Sequence, residues 1–527
     1  MLNRLSLVFV LISFDPKHLH YRPSETRNIP FVQVDCCLRD GIGEAMLGEE
    51  YGRKTEGEDK TDHDINQILS EDFTPVREGF TTLIVPSGSV RSKVPPRTPA
   101  FFNPVAKLSR DISSLVYGSF IRMNHYLFQK VPISFADAFC GVGARSIRVA
   151  KEIPAIDKVV LNDLNAVALA AAKISAKING IEDKCVFSQE DVHVFLNRST
   201  STNKKERYVI ADLDPFGSPS AFADSFVRAV TDGGLLSVTA TDTAVLFGKY
   251  PNVCFRKYYS KPINCTYSNE IAVRIMISFL GLVAGRMDLA IEPIFAHSHR
   301  HYSRVYVRVH VNSNEANQLA DSLGHISHCF NCGDRRVYHG LLQSSLSCDI
   351  CDNNATESKR SKMSISGPIW IKPIFNKYLI SDILTIEGND DDGDENASAK
   401  TNNCISNPQC SSKHYEDHNK DLLTDDQRIE KMMISTLTLP DNSLHMPPQQ
   451  YYRQILQWLH IANAELDDQP LYYTLDELGS AMKSSPPSMN TVFQRLTQAG
   501  FKACRTSFRP TGFKTNATME DIKRMLY

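Results

Sequence analysis

Between Ile133 and Val311 the chain repeats one pattern, a short apolar run followed by an amphipathic helix, and few folds accommodate it. The runs ISFADAF, KVVLNDL, KCVFSQEDV, RYVIADLDPFG and GGLLSVTATD read as strands. The intervening stretches, such as CGVGARSIRVAKEI and NAVALAAAKISAKING, carry apolar residues at helical spacing. Strands separated by helical patterns predict a parallel, doubly wound sheet. After the long helical stretch NEIAVRIMISFLGLVAGR, the segments DLAIEPIFAHSHR and SRVYVRVHV predict a closing hairpin and seven strands in all. Ligands in such sheets sit beyond the carboxyl ends of the strands. The residues at those ends are therefore the candidates for function.

The first strand ends in Asp137 and runs into Cys140-Gly141-Val142-Gly143. Glycines at Gly141 and Gly143 let the backbone approach a nucleotide and tighten the turn into the helix, which suits NAD as well as other adenosine cofactors. The second strand ends in Asn162-Asp163, where a carboxylate can accept both ribose hydroxyls or merely cap a helix. The third ends in Glu190-Asp191-Val192, where an acid and the next backbone amide can read an adenine edge. Three acid-ended strands in succession point to an adenosine ligand.

The fourth strand separates the cofactors. Asp212-Leu213-Asp214-Pro215-Phe216-Gly217 puts an acid, a proline, an aromatic and a glycine at the mouth of the sheet. Hydride transfer has no use for this set. Methylation of an exocyclic base amine does, because that nitrogen's lone pair is delocalised into the ring. The Asp214 carboxylate and the Pro215 carbonyl can accept the amine hydrogens and turn the lone pair towards the methyl donor. Phe216 can stack on a base taken out of its helix. Alignment of nitrogen and methyl group then supplies most of the acceleration.

These residues resemble the tRNA (guanine-26-N2)-dimethyltransferase family. Its most specific piece here is DLDPFGSP (Asp212 to Pro219), followed by VTATDTAVLFG and RKYY, with FFNPVAKLSRD before the first strand and FKTNA near the end. The likeness covers roughly Glu78 to Val311 and continues more weakly to the C-terminus. It implies S-adenosylmethionine as cofactor, with Arg110 and Arg145 at its methionine carboxylate and Asp163, Asp191 and Val192 at cofactor positions. It implies Asp214 as the catalytic acid and guanine N2 as the methylated atom, once or twice. The chain departs from the family at Arg505-Thr506-Ser507-Phe508, where a histidine is usual, and at Cys140, a variable place in the glycine loop.

Two further features stand apart from the sheet. Cys329-x-x-Cys332 and Cys348-x-x-Cys351 are two CxxC pairs joined by a loop, the spacing of a four-thiolate structural zinc site with no open position for catalysis. His328 and His339 lie nearby and are not needed as ligands. Arg256-Lys257-Tyr258-Tyr259-Ser260-Lys261 and His297 to Arg304 mix cations with aromatics, which suits RNA phosphates and bases or an ordinary solvated face.

The net charge of −2 excludes a globally basic nucleic-acid binder, so an RNA surface has to be local. Thirteen scattered cysteines argue for a reducing compartment rather than a disulfide framework. The apolar run Leu5 to Phe14 is too short to span a bilayer and lacks a cleavage site, so it reads as an untypical extension or a misplaced start. The expected fold is α/β: a Rossmann-like, seven-stranded class I methyltransferase domain and a C-terminal α+β tRNA-binding domain containing a zinc knuckle. The divisions are a poorly ordered extension (1–75), the S-adenosylmethionine-dependent domain (76–315), the knuckle region (325–385), an acidic linker (386–429) and a C-terminal tRNA-binding segment with a winged-helix-like order (430–527). The expected protein is an intracellular monomer, nuclear, mitochondrial or plastid, with tRNA as partner and no membrane. Rival readings are methylation of another amino group, such as adenine N6 or a protein glutamine, and a non-catalytic RNA-binding protein on the same fold.

Overall fold

Each apolar run finds its place in one sheet in the computed structural model, which describes residues 69, 71–198, 207–299, 301–340, 347–352, 363–388 and 448–526. The strands are β3 (Ser134–Asp137), β4 (Lys158–Asn162), β5 (Cys185–Ser188), β6 (Tyr208–Leu213), β7 (Val230–Ala240), β8 (Leu289–His299) and β9 (Tyr302–Val311), in the order β5-β4-β3-β6-β7-β9-β8. The first five run parallel, and β9 and β8 close the sheet antiparallel. Helices α1 (Lys107–Asn124), α2 (Ala144–Glu152), α3 (Ala166–Ile178), α4 (Val192–Arg198) and α5 (Ser268–Gly285) accompany them. From β3 the chain winds outward through β4 and β5, then returns to add β6 on the other side. The switch point thus lies between β3 and β6, where Asp137 is in register with Asp212.

Gly143 starts α2 with φ +74°, and a Cβ there would stand 2.9 Å from the Ala172 Cβ of α3. This glycine therefore serves both the turn and the close approach of the two helices.

Before the sheet, β1 (Phe73–Glu78) and β2 (Thr81–Pro86) form a hairpin. The expected boundary at residue 75 falls inside β1. The hairpin is fastened to α3, with Thr82 N donating to Asn179 Oδ1 (3.0 Å) and Ile84 N to Ser175 Oγ (2.9 Å). Glu78, fully buried, receives a bidentate pair from Arg110 at 2.7 and 2.5 Å. Next to it Asp111 accepts from Lys107 (2.8 Å), Arg148 (2.6 Å) and the Tyr451 hydroxyl (2.7 Å). The charged letters of FFNPVAKLSRD thereby join the hairpin, α1, α2 and a distant C-terminal helix.

That helix is α7 (Pro448–Ala464), which follows α6 (Lys377–Gly388) and a second sheet in the order β11-β10-β12 (Arg335–His339, Leu323–His328, Ser364–Trp370). The last unit holds β13 (Tyr473–Thr474), α8 (Leu475–Met482), α9 (Met489–Gln498), β14 (Ala503–Arg505), β15 (Gly512–Thr515) and α10 (Met519–Leu526). A helix pair followed by a strand hairpin is the order expected of a winged-helix-like unit. One continuous core extends from the sheet through Trp370 and Ile380 to Leu459 and Phe508. Residues from Tyr473 to Leu526 close a smaller core around Leu478, Val492 and Phe513.

Helix α5 is the one described helix long and apolar enough to cross a membrane, which the sequence reading had not singled out, and 83% of it is buried in the protein. Within it Glu270 and Arg274 pair at 2.7 Å, and Lys514 of FKTNA reaches in to Glu270 (2.9 Å) and Glu465 (2.8 Å). The C-terminal motif is therefore a buried ionic anchor between the last unit and the sheet. Residues 1–68 of the N-terminal extension, including Leu5 to Phe14, and almost all of the acidic linker lie outside the described residues.

Candidate active site and metal centre

Parallel strands deliver their last residues to the same edge, so the switch point gathers acids. Asp137 and Asp212 are both buried, and Asp214 follows with its side chain 32% exposed. Two buried arginines hold them. Arg145, from the first turn of α2, donates to Asp214 Oδ2 at 2.7 Å and lies 3.5 Å from Asp212. Arg304, fully buried on β9, bonds Asp212 and lies 3.8 Å from Asp214 Oδ2. Arg304 also donates to the Tyr117 and Tyr306 hydroxyls at 2.9 and 3.0 Å and to Ser237 Oγ at 2.6 Å.

The charge balance assigns protonation. Burial raises the Asp214 carboxyl, but Arg145 and Arg304 outweigh it and hold the group below the usual carboxylate range. For Asp137 the Ser146 hydroxyl and Arg145 do not suffice: burial and then the charge on Asp212 push it up to about 7. Asp214 is thus an ionised acceptor at the mouth. Both arginines lie against its Oδ2.

The loop after Asp214 is fixed by the end of β7. Gly217, at φ +78°, donates to Thr241 Oγ1 (2.6 Å) and accepts from Thr241 N (2.9 Å). Ser218 Oγ donates to the Tyr258 hydroxyl, which donates to Asp242, both at 2.8 Å. Pro215 is buried, whereas Phe216 is 57% exposed at the mouth, edge-on to Phe101 at 4.9 Å.

The expected cofactor residues line the neighbouring strand ends. Gly141, at φ +52°, donates its N–H to Asp163 Oδ2 at 2.8 Å, so glycine loop and second acid are tied together. Asp163 Oδ1 also accepts from Asn165 N (2.9 Å), but the cap of α3 is Asn165, whose side chain accepts from Ala168 N at 3.1 Å. Asp191 is exposed and accepts from His193 N at 2.8 Å, while Val192 is buried as the first residue of α4. Leu164, between the two acids in sequence, is 65% exposed, an apolar surface that an adenine would cover. Donor set, glycine loop and uncovered leucine fit an adenosine cofactor. Arg110 stands apart, with Nε and Nη2 engaged by Glu78 and Asn103 O.

Burial corrects part of the second RNA patch read from the sequence, while His299 and His301 stay exposed. His297, Ser303 and Arg304 are buried, because β8 and β9 are covered on both faces. His297 stacks on Tyr306 (6.1 Å) and meets Trp458 edge-on, and burial with Arg304 holds it neutral. Within the first patch Tyr258 and Ser260 are also buried, while Arg256, Tyr259 and Lys261 are exposed. Arg304 is the active-site residue that sequence reasoning placed wrongly. Replacing it by leucine should cost about 3–5 kcal/mol of stability, since Asp212 would be left buried beside fewer cations. Urea denaturation of Arg304→Leu with and without Asp212→Asn tests this, and the second change should recover part of the loss.

The four CxxC cysteines converge as expected. Cys329 and Cys332 sit in the turn between β10 and β11, Cys348 and Cys351 before β12, and all four Sγ atoms lie within 4.8 Å of one another. A tetrahedral zinc with bonds of about 2.3 Å requires sulfur–sulfur edges of about 3.8 Å. Cys329–Cys351 and Cys332–Cys348 measure 3.8 and 3.5 Å. Asn331 Nδ2 donates to Cys351 Sγ (3.1 Å), and Lys523 Nζ to Cys332 O (2.8 Å). His328 instead faces the Tyr267 hydroxyl at 3.0 Å.

With this geometry in view, comparison with known proteins is decisive. The family model for N2,N2-dimethylguanosine tRNA methyltransferase matches residues 79–417 and 421–527. The chain belongs to that family. Membership makes it a tRNA methyltransferase acting on guanine N2, with S-adenosylmethionine as methyl donor. It is 29% identical over 451 residues to the tRNA (guanine(26)-N(2))-dimethyltransferase of Methanothermobacter thermautotrophicus, covering 86% of this chain and 98% of the relative. The tRNA (guanine(26)-N(2)/guanine(27)-N(2))-dimethyltransferase of Aquifex aeolicus is 32% identical over 305 residues, 57% of this chain and 72% of the relative. Among solved structures, Trm1 from Pyrococcus horikoshii with S-adenosyl-L-methionine shares the fold, with a TM-score of 0.60 and 24% identity over 86% of this chain and 99% of that one. In this family member, the DLDPFGSP run forms the mouth at the switch point.

Proposed function

We propose that this dimethyltransferase-family protein methylates N2 of the guanine at position 26 of tRNA, once or twice, with Asp214 as the acceptor that orients the amine. The carrying observation is the state of Asp214, an ionised carboxylate at the mouth whose Oδ2 is taken by Arg145 and approached by Arg304. The Asp214 carboxylate would accept one N2 hydrogen, and the Pro215 carbonyl the second. Phe216, exposed beside it, gives the extruded ring a face to stack on.

S-adenosylmethionine, when bound, supplies an electrophilic methyl group on a sulfonium. Asp163 would hold its ribose, and Asp191 with the Val192 amide its adenine. Gly141 and Gly143 allow its close approach. Arg145 would reach a ligand carboxylate by turning Nη1 from Ser113 Oγ and Ser109 O, and Arg110 by changing its Glu78 contact. The amine's proton leaves once the new N–C bond has formed; Asp214 is a weak base, so it orients the nitrogen and hands the proton to water. Cys329, Cys332, Cys348 and Cys351 would hold zinc as a structural ion outside the reaction.

The test is mass spectrometry of nucleosides from tRNA incubated with the purified chain and methyl-labelled cofactor. Labelled N2-methylguanosine or N2,N2-dimethylguanosine mapping to position 26 is expected. Label on adenine, or none on a tRNA that an authentic relative modifies, would overturn the reading.

A further inference from the structure

Two stretches free of carboxylates meet at Phe216. Residues 87–106 carry Arg91, Lys93 and Arg97 and no acid. Residues 247–261 carry Lys249, Arg256, Lys257 and Lys261 and again no acid. The first segment reaches the mouth through Arg97, whose guanidinium lies 5.1 Å from the Phe216 ring centre. The second reaches it through Tyr258, bonded to Ser218 two residues beyond Phe216. A cationic loop and a cationic helix, Pro251–Tyr258, thus both adjoin the catalytic loop.

Arg91, Lys93, Arg97, Lys249, Arg256 and Lys261 are all exposed, and none forms an ion pair among the described residues. Lys257 is the exception, half-buried 3.8 Å from Asp242. The helical segment also exposes rings: Tyr250 (39%), Phe255 (50%) and Tyr259 (52%). Lys249 lies 5.5 Å above the Tyr250 ring, which pairs a cation with a stacking face. Tyr259 holds φ +54°, and its N–H bonds Phe255 O at 2.8 Å, so the turn is fixed. Single exposed rings are ordinary on a surface. Three of them among unpaired cations, next to a loop that receives an extruded base, call for a polyanion with flat faces.

We propose that these two segments grip the RNA strand around the target guanine, the cations on phosphates and the 250–259 rings on flanking bases left unstacked when the guanine is withdrawn. The inference rests on the reading that this chain methylates a tRNA guanine. It adds where the substrate is held and in what form: locally opened, with flanking bases free to stack. Cations on phosphates position the strand and carry no sequence information. Stacking on exposed rings tolerates any base. Discrimination between sites would thus come from whether the flanking pairs can open.

The test uses the full chain and tRNA. In the triple variant Lys249→Ala, Arg256→Ala, Lys261→Ala, tRNA affinity should fall about tenfold or more at physiological salt, and the slope of log Kd against log salt should drop by about one per cation removed. S-adenosylmethionine affinity and thermal unfolding, followed in parallel, show that the variant is folded. Phe255→Ala should keep the salt slope and weaken quenching of a fluorescent adenine analogue placed beside the target guanine. A triple variant with wild-type Kd and slope overturns the proposal while wild-type methylation still stands. A wild type that binds and methylates no tRNA overturns the parent reading instead.

Discussion

Asp214→Asn should lower kcat by roughly 10²–10⁴-fold, the range for a positioned proton-accepting group, while tRNA binding stays largely intact. The amide keeps one acceptor atom but loses the charge that draws hydrogens from a poorly nucleophilic amine. Asp214→Ala removes the acceptor as well and should abolish transfer. Single-turnover assays with labelled cofactor, alongside filter binding of tRNA, separate the two quantities. Wild-type turnover in either variant would remove Asp214 from the mechanism. Because Asp214 also pairs with the buried Arg145 at 2.7 Å, thermal unfolding followed in parallel separates lost turnover from lost fold.

The same site has a pH signature. The acceptor works only when ionised, and Arg145 with Arg304 holds it below the usual carboxylate range against the upward push of burial. Its protonation as pH falls is therefore delayed to below that range. The acidic limb of kcat should lie below that of an ordinary carboxylate, or be hidden by loss of fold. Replacing Arg145 by glutamine removes a cation in direct contact, so the limb should move upward. An ordinary carboxylate limb in the wild type would show that the clamp is not in force during turnover.

Cys348→Ser carries the second large effect, this one on stability. Zinc content should fall from about one per chain to near zero, and with it the ordering of the turns around Cys329–Cys332 and Cys348–Cys351. Structural zinc contributes on the order of 10–16 kcal/mol to knuckle peptides, and the unit here has little else, since its own apolar cluster is Cys329, Cys348 and Met363. The damage should spread. Lys523 bonds the Cys332 carbonyl, and Gly333 packs against Met519, so α10 rests on the knuckle. Protease sensitivity within residues 473–526 should rise together with metal loss, by mass spectrometry and elemental analysis. A full zinc complement in the serine variant would refute the four-thiolate site.

Much of this site was legible because strand ends are local features. Asp137, Asp163 and Asp214 each terminate a run whose period marks a strand, and a doubly wound sheet delivers such ends to one edge whatever the loops between. The two CxxC pairs were legible for a similar reason, since thiolate spacing encodes a turn. Arg304 was not. It lies in a run rich in His, Arg and Tyr that reads as a surface, and its partner Asp212 is 92 residues away. Only the pairing of β9 beside β7, under the cover of α1 and its Tyr117, turns that position inward. Arg110 illustrates the converse: its motif reads as a cofactor signature, and its guanidinium is bound to Glu78 of a hairpin the sequence reading divided.

What the sequence determined alone is the chemistry offered at the switch point, an acid, a proline and an aromatic after a nucleotide-binding half. Those letters need only their own strand and turn to take effect. Tertiary structure decided the electrical state of that chemistry. Asp214 is an ionised acceptor rather than an ordinary exposed carboxylate because two arginines, one from α2 and one from β9, converge on it in a buried setting, where a neighbouring charge is screened little and counts for most.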